Sequence, residues 1–392
     1  MERLQNLIQE NWPHMVELRR YFHMYPELSG QEFNTQRKIT AELRSLGLEP
    51  RDAAGTGVIA DICGKADGPM LAIRADIDAL PLQDELDQPY RSQNHGACHA
   101  CGHDGHTAML LGTAAVLTQL RESLSGTVRL IFQPSEERFP GGAAAMVEAG
   151  ALAGAAVIIG AHLWQPLPTG TVGIRGGRLM ASPDEFIITV SGRGGHGSMP
   201  HQTVDALLTG AQLAAALHTI VSRSIDPMQP AALSLGVFKA GEAFNIIPDT
   251  AVLKGTVRTF DQSLRTLIFE RIETISRGVC LAAGAEYHIE RRYGFPPLLN
   301  DPAVAAILSG AAHQTAGVET VIEPEPVMVG EDFSVYLERV PGCFAFIGCG
   351  NATAGSVYPH HHPRFDLDEQ ALKHGAELFC RTALQLLAGE RQ

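Results

Sequence analysis

The sequence predicts an α/β protein whose larger domain is built on a mostly parallel sheet and is interrupted by a smaller α+β unit of βαββαβ, ferredoxin-like type. Three observations lead there. Short, wholly apolar runs alternate with amphipathic helical stretches toward both ends of the chain, the pattern of strands covered on both faces. The middle of the chain has a different texture, with strands that alternate more openly. The chain has 392 residues, more than one ordinary core accommodates at roughly 150 residues per domain.

In chain order, Leu4, Leu7, Ile8, Met15, Leu18 and Phe22 recur at helical spacing, and a second amphipathic stretch from Glu32 to Leu46 stops at Gly47. Strands are expected at Gly57–Ile62 and Met70–Ile73, then a long helix from Thr107 toward Leu124, then strands at Thr127–Phe132, Ala156–Ala161 and Cys343–Gly348. Between the last two lie expected strands at Glu185–Val190, Ala232–Val237 and Ala251–Thr259, separated by helical stretches at Val204–Ser222 and Ser263–Ala283. The block from Asp184 to Arg292 is a unit able to fold by itself. Domain boundaries are therefore expected at 1–183 together with 294–392 for the larger domain, and at 184–293 for the insertion. Ser182-Pro183 and Gly294-Phe295-Pro296-Pro297 are turn-rich flanks that suit paired hinges.

Composition narrows the function. Hydrophobic residues at 45% and charged residues at 19% exclude wholesale disorder. The net charge of −13 comes without a long acidic run, and the 30 basic residues are scattered, so no nucleic-acid partner is expected. Charges interrupt the apolar pattern of the first twenty residues, which argues against a signal peptide, a spanning segment or a membrane partner and leaves a cytoplasmic location. Of seven cysteines, Cys63, Cys98, Cys280, Cys343, Cys349 and Cys380 sit among apolar or small neighbours and read as core residues. Cys101 stands apart.

Cys101-Gly-His103-Asp104-Gly-His106 lies between a glycine-rich loop and a helix start. A thiolate and an imidazole two residues apart suit a borderline-soft divalent cation. Glu136-Glu137 follows the strand Thr127–Phe132, at the strand end where open α/β sheets place their sites. Adjacent carboxylates repel, and a metal resolves this if one ligates while the other takes a proton from bound water. His162 follows the run Val157–Ala161, and His360-His361-His362 precedes Pro363; each alone could be an ordinary rim or surface residue. Asp76 and Asp78 close the strand Met70–Ile73, and Asp78 is a candidate to hold a metal-bound imidazole in one tautomer. Strand ends and loops thus present Asp, Cys/His, Glu/Glu and His in succession.

These residues resemble the M20 metallopeptidases, specifically the amidohydrolase branch that includes hippurate hydrolases, auxin-conjugate hydrolases and N-acetyl-diaminopimelate deacetylases. The resemblance spans almost the whole chain. It is carried by Arg74-Ala-Asp-Ile-Asp-Ala-Leu-Pro81, His99-Ala-Cys-Gly-His-Asp-Gly-His106, Gln133-Pro-Ser-Glu-Glu137, Gly194-Gly-His-Gly-Ser-Met-Pro-His201, Asn245-Ile-Ile-Pro248, Gly330-Glu-Asp-Phe333 and His361-His-Pro-Arg-Phe365.

The resemblance implies a metallopeptidase catalytic domain and an inserted dimerisation domain, hence a homodimer or higher homo-oligomer. It places metal ligands at Cys101, His103, Glu137, His162 and His361, enough for two divalent ions, and the general base at Glu136. The donors suit manganese or zinc, with cobalt or nickel also admissible. His196 is implied as the residue that polarises the scissile carbonyl in a neighbouring subunit's site, with His201 the competing candidate; Asn245 and Arg258 are implied contacts to the substrate's carboxylate. The expected activity is hydrolysis of the amide bond of small N-acyl amino acids. Two other readings compete, a dipeptidase or carboxypeptidase of the same fold and a non-catalytic metal-binding or ligand-sensing homologue.

Overall fold

In the computed structural model, residues 2–388 are described. The described residues divide into two compact units: one comprises those as far as Leu179, then Leu299–Glu325 and those from Asp332 onward; the other comprises Met180–Leu298 and Pro326–Glu331. The short return of Pro326–Glu331 to the second unit has no counterpart in the expected boundaries.

The first unit opens with helix α1 (Glu2–Met24) and helix α2 (Phe33–Ser45). On α1 the apolar series Leu4, Leu7, Ile8, Met15, Leu18 and Phe22 is the buried face, as its spacing predicts. An eight-stranded sheet follows. Its first six strands are β1 (Arg51–Ala53), β2 (Gly57–Cys63), β3 (Ala66–Asp76), β4 (Ser125–Gln133), β5 (Ala155–Pro168) and β6 (Thr171–Gly173). The spatial order is β1-β2-β4-β3-β5, then the strand Gly342–Gly350, then β6 and the strand Thr320–Ile322. β4, β3, β5 and Gly342–Gly350 are mutually parallel, while β1 and β2 pair antiparallel on one side and β6 pairs antiparallel with Gly342–Gly350 on the other. β4 and Gly342–Gly350 are buried almost throughout, and β3 and β5 over their apolar stretches, as runs covered on both faces should be.

Helix α3 (His103–Gln119) is buried around nearly its whole circumference. It starts four residues earlier than its apolar periodicity suggests, because Gly102 takes a left-handed φ of 90° and turns the chain directly into a polar but buried first turn. It ends at Gln119, and a 3-10 turn, Arg121–Ser123, takes up the remainder of the expected stretch. Cys63 is a further difference: the alternation along β2 turns this last residue to solvent, so it is exposed and outside the core.

In the second unit, strands Ser182–Ser191, Ala231–Ala240, Thr250–Thr259 and Glu286–Arg292 form an antiparallel four-stranded sheet. Numbered within the unit, their spatial order is 4-1-3-2, the ferredoxin-like arrangement. Phe186, Ile188, Val190, Leu213, Leu253, Ile268 and Phe269 meet in its own core. The expected helix Val204–Ser222 begins at Ala206, where Asp205 accepts the Leu208 N–H, and breaks at His218 into a second helix, Thr219–Ser224. Ser182-Pro183 is not a turn but the start of a strand, paired with Thr259 and Arg258. Pro183 is tolerated there because the neighbouring strand on the other side pairs only from Glu185 onward. No helix among the described residues is long and apolar enough to cross a membrane.

Candidate metal centre

The carboxyl ends of the parallel strands collect the chemistry, where open α/β sheets place their ligands. β3 ends at Asp76 and leads to Asp78; β4 ends at Gln133 and leads to Glu136 and Glu137. His162 was expected just past a strand, but β5 continues to Pro168, so His162 lies within it. The reason is its parallel neighbour, which keeps pairing through Phe346–His162, Ile347–Leu163 and Gly348–Trp164.

Donor atoms of Cys101, His103 and His162 lie within 4.8 Å of one another, as do those of Cys101, Glu137 and His361, and those of His103, Glu136 and Glu137. Within this cluster Cys101 Sγ is 3.4 Å from His162 Nε2, and His361 Nε2 is 3.2 Å from Glu137 Oε1. All but His361 are buried or nearly so; its side chain is 55% exposed, which leaves the cluster one side open to solvent.

Hydrogen bonds set the tautomers. His103 Nδ1 lies 2.9 Å from the Asp78 carbonyl, and His162 Nδ1 lies 2.9 Å from the Leu163 carbonyl. A carbonyl only accepts, so each Nδ1 carries a proton, and in the neutral ring each Nε2 turns a lone pair to the cluster. Asp78 does more: its Oδ1 is 3.3 Å from His103 Nδ1, and its Oδ2 accepts from the Ser29 hydroxyl at 2.6 Å and from the Glu137 N–H at 3.1 Å.

The histidine triplet is sorted by the same logic. His360 donates Nε2–H to the Leu163 carbonyl at 3.0 Å, and burial pushes its imidazole down to about 4. His362 accepts the Arg364 N–H on Nδ1 and stacks on Tyr358. His361 is the one facing Glu137, from a left-handed backbone at φ 64°.

Two buried atoms, His103 Nε2 and Glu137 Oε1, lie 3.9 Å apart and make no hydrogen bond of good geometry, the oxygen having only His361 Nε2 at 3.2 Å beside it. Buried polar atoms are seldom left so. Burial pushes the Cys101 thiol well up, with Glu137, Glu136 and Asp76 adding to the effect. Burial alone would lower His103, but Asp76, Asp78 and Glu137 outweigh it and lift the ring to about 10. Each of these tensions, a thiol kept from ionising, carboxylates crowded together and an imidazole surrounded by negative charge, is relieved by a cation among the donors. Thiolate, imidazole and carboxylate are the donor set of a divalent transition metal, so the residues present fit such an ion.

Beneath the cluster, Asp76 and His106 form a support that the motifs contain but to which sequence reasoning assigned no role. Asp76 Oδ1 is 2.6 Å from His106 Nδ1, and Asp76 Oδ2 accepts from Arg74 Nη1 at 2.7 Å. His106 Nε2 accepts the Leu163 N–H at 2.9 Å, which pins the backbone beside His162. The signal was available: Asp76 and Asp78 are two apart at a strand end, and His103 and His106 are three apart on a helix, spacings that share a face.

The remaining candidates lie in the second unit. His196 is exposed on a two-residue strand paired with Ile246–Ile247. Its Nδ1 accepts the Ser198 N–H at 3.1 Å, so the neutral ring carries its proton on Nε2. Asn245 is exposed beside it and accepts the Gly197 N–H at 2.8 Å on its backbone carbonyl. His201 is exposed in the turn Pro200–Gln202. Arg258 is half-buried in the strand Thr250–Thr259, with Nη1 donating to the Thr256 hydroxyl and the Val257 carbonyl.

Residues 72–385 match the pattern of "Peptidase family M20/M25/M40". The chain is 47% identical over 371 residues to the putative amidohydrolase YhaA of Bacillus subtilis, covering 94% of each chain. It is 42% identical over 374 residues to N-acetyl-L-cysteine deacetylase of the same organism, covering 95% of this chain and 88% of that one. Among solved structures, the B. subtilis YXEP protein, described as a dinuclear metal-binding peptidase from the M20 family, superimposes with a TM-score of 0.85 at 37% identity, covering 97% of this chain and 99% of that one.

Proposed function

The chain belongs to peptidase family M20/M25/M40 and is a metal-binding hydrolase of its amidohydrolase group; from that premise we propose that it cleaves the amide bond of small N-acyl amino acids, with Glu136 as general base. One observation carries the reading. His103 Nε2 and Glu137 Oε1 are buried without a well-formed hydrogen bond amid Cys101, His162 and His361, and Glu136 stands in the same group.

Cys101, His103, Glu137, His162 and His361 are the proposed ligands, and manganese or zinc the proposed metals. A pair of divalent cations bound there would acidify a water molecule and polarise the substrate carbonyl. Glu136, adjacent to a ligand without being one, takes the proton from the attacking water and returns it to the departing amine. His196, whose proton sits on Nε2, offers a donor to the carbonyl oxygen as negative charge develops there. In this reading His196 serves the site of a second copy of the chain. The exposed apolar residues Leu207 and Leu208 on helix Ala206–Leu217, and the edge strand Ala231–Ala240, support pairing of the second unit with its copy. Asn245 and Arg258 are proposed to meet the substrate's carboxylate, a task suited to a planar guanidinium.

Glu136→Gln keeps the side chain's shape and removes the base. The proposal expects hydrolysis of N-acetyl, N-benzoyl and indoleacetyl amino acids to fall by about a thousandfold or more with metal content unchanged. Activity within tenfold of the wild type would remove Glu136 from this role, and a consistent preference for dipeptides in the same panel would replace the substrate class.

A further inference from the structure

The loop that carries Glu136 adopts a backbone shape its residues do not favour. Ser135 sits at φ 58°, in the left-handed region that a residue with a Cβ seldom enters. Its N–H donates to Glu32 Oε1 at 2.9 Å, and its hydroxyl lies 3.4 Å from the same oxygen. Glu32 Oε2 accepts from the Thr56 hydroxyl at 2.6 Å. On the other side of Glu136, the Glu137 N–H donates to Asp78 Oδ2 at 3.1 Å. The peptide N–H groups of both residues flanking Glu136 are therefore tied to buried carboxylates.

Glu32 does not act as the cap its position suggests. It stands immediately before α2, where a polar side chain ordinarily accepts from the helix's own N–H groups, yet it makes no such cap bond. Glu27 does that work instead, accepting the Asn34 N–H at 2.7 Å and the Thr35 N–H at 2.8 Å. Glu32 is wholly buried and directed at Ser135, at the cost of desolvating a carboxyl group.

We propose that Glu32 is a positioning residue, which holds Ser135 in its left-handed turn and thereby aims the Glu136 carboxylate, without itself touching substrate. The inference rests on the reading of Glu136 as general base. A misplacement of about 1 Å at a catalytic group can lower turnover by about a hundredfold, and the left-handed turn at Ser135 sets where the chain enters Glu136.

The test uses the full-length metal-loaded enzyme, with Glu136→Gln as reference. Glu32→Ala should lower kcat by about 10- to 100-fold, leave KM within about twofold and leave bound metal unchanged, because ligands and substrate contacts are untouched. Glu32→Gln, which keeps an acceptor for the Ser135 N–H, should restore kcat to within about threefold. The crystal structure of Glu32→Ala should show Ser135 out of the left-handed region and the Glu136 carboxylate displaced. Should Glu32→Ala not fold, Glu32→Asp keeps the charge but withdraws it from Ser135 by one methylene, and carries the same expectation. An active wild type with inactive Glu136→Gln, but with unchanged kcat in the Glu32 variants, overturns this proposal alone; so does a loss of kcat with Ser135 and Glu136 unmoved. A wild type inactive across the whole acyl and dipeptide panel would bring down the hydrolase reading, and this proposal with it.

Discussion

Replacing Asp78 by asparagine removes one charge and one acceptor from a carboxylate that three donors share. Burial alone would raise this carboxyl, but His103, Ser29 and the Glu137 N–H hold it below the ordinary carboxylate range, so it is ionised at neutral pH. Oδ2 accepts two bonds and Oδ1 faces His103 Nδ1. Asparagine can keep its oxygen toward Ser29 and Glu137 only by turning its NH2 group toward an N–H of His103, where donor meets donor. The Asp78 backbone carbonyl still holds His103 Nδ1 at 2.9 Å, so the tautomer survives and the loss is partial. Supporting groups of this kind typically change metal affinity by about 10- to 100-fold, or about 1.4–2.8 kcal/mol. Competition against a chromogenic chelator at pH 7 measures it, with thermal unfolding of the metal-free protein as control for folding. An affinity within twofold of the wild type would show that Asp78 does not support the ligand.

Two further predictions concern stability. Arg19 is fully buried and pairs with Asp104 at 2.9 Å and Asp366 at 2.7 Å, so Arg19→Met removes the cation between two buried acids, leaving His23 to meet Asp104 and Tyr90 to meet Asp366, and should cost about 3–5 kcal/mol in urea unfolding; a loss under 1 kcal/mol would mean that His23 and Tyr90 suffice for the acids. Burial pushes the His374 imidazole down to about 4, so the folded state binds fewer protons than the unfolded state, whose ordinary value is 6.5. Stability from this group is therefore complete above pH 6.5 and is lost as pH falls; between pH 7 and 5 it should contribute about 2 kcal/mol of acid destabilisation that His374→Gln lacks. Equal pH slopes for the two proteins would contradict that assignment.

Sequence pattern reached the sheet because its parallel strands are apolar on both faces: Met70–Ile73 and Cys343–Gly348 lie inside β3 and Gly342–Gly350. It fell short where burial and apolarity part company. The first turn of α3 is buried through His103, Asp104 and His106, so its hydrophobic period starts late. Likewise β5 runs on past His162 because a neighbour pairs with it, which no property of residues 163–168 announces. At the site, motif spacing located the ligand candidates, since Cys101 and His103, or Glu136 and Glu137, are close in the chain. Glu32 is 103 residues from Ser135, and a single glutamate before a helix reads as a cap. Its direction is set by tertiary contacts alone.

The central claim is that Cys101, His103, Glu137, His162 and His361 together hold two divalent cations. Anomalous diffraction at the metal absorption edge, on crystals of protein purified without chelator, tests it most directly. Two peaks within bonding reach of those five side chains, with Glu136 beside them and unbonded, are the expected result. No peak among them, or peaks held by other groups such as His23, Asp84 and Cys98, would contradict the account.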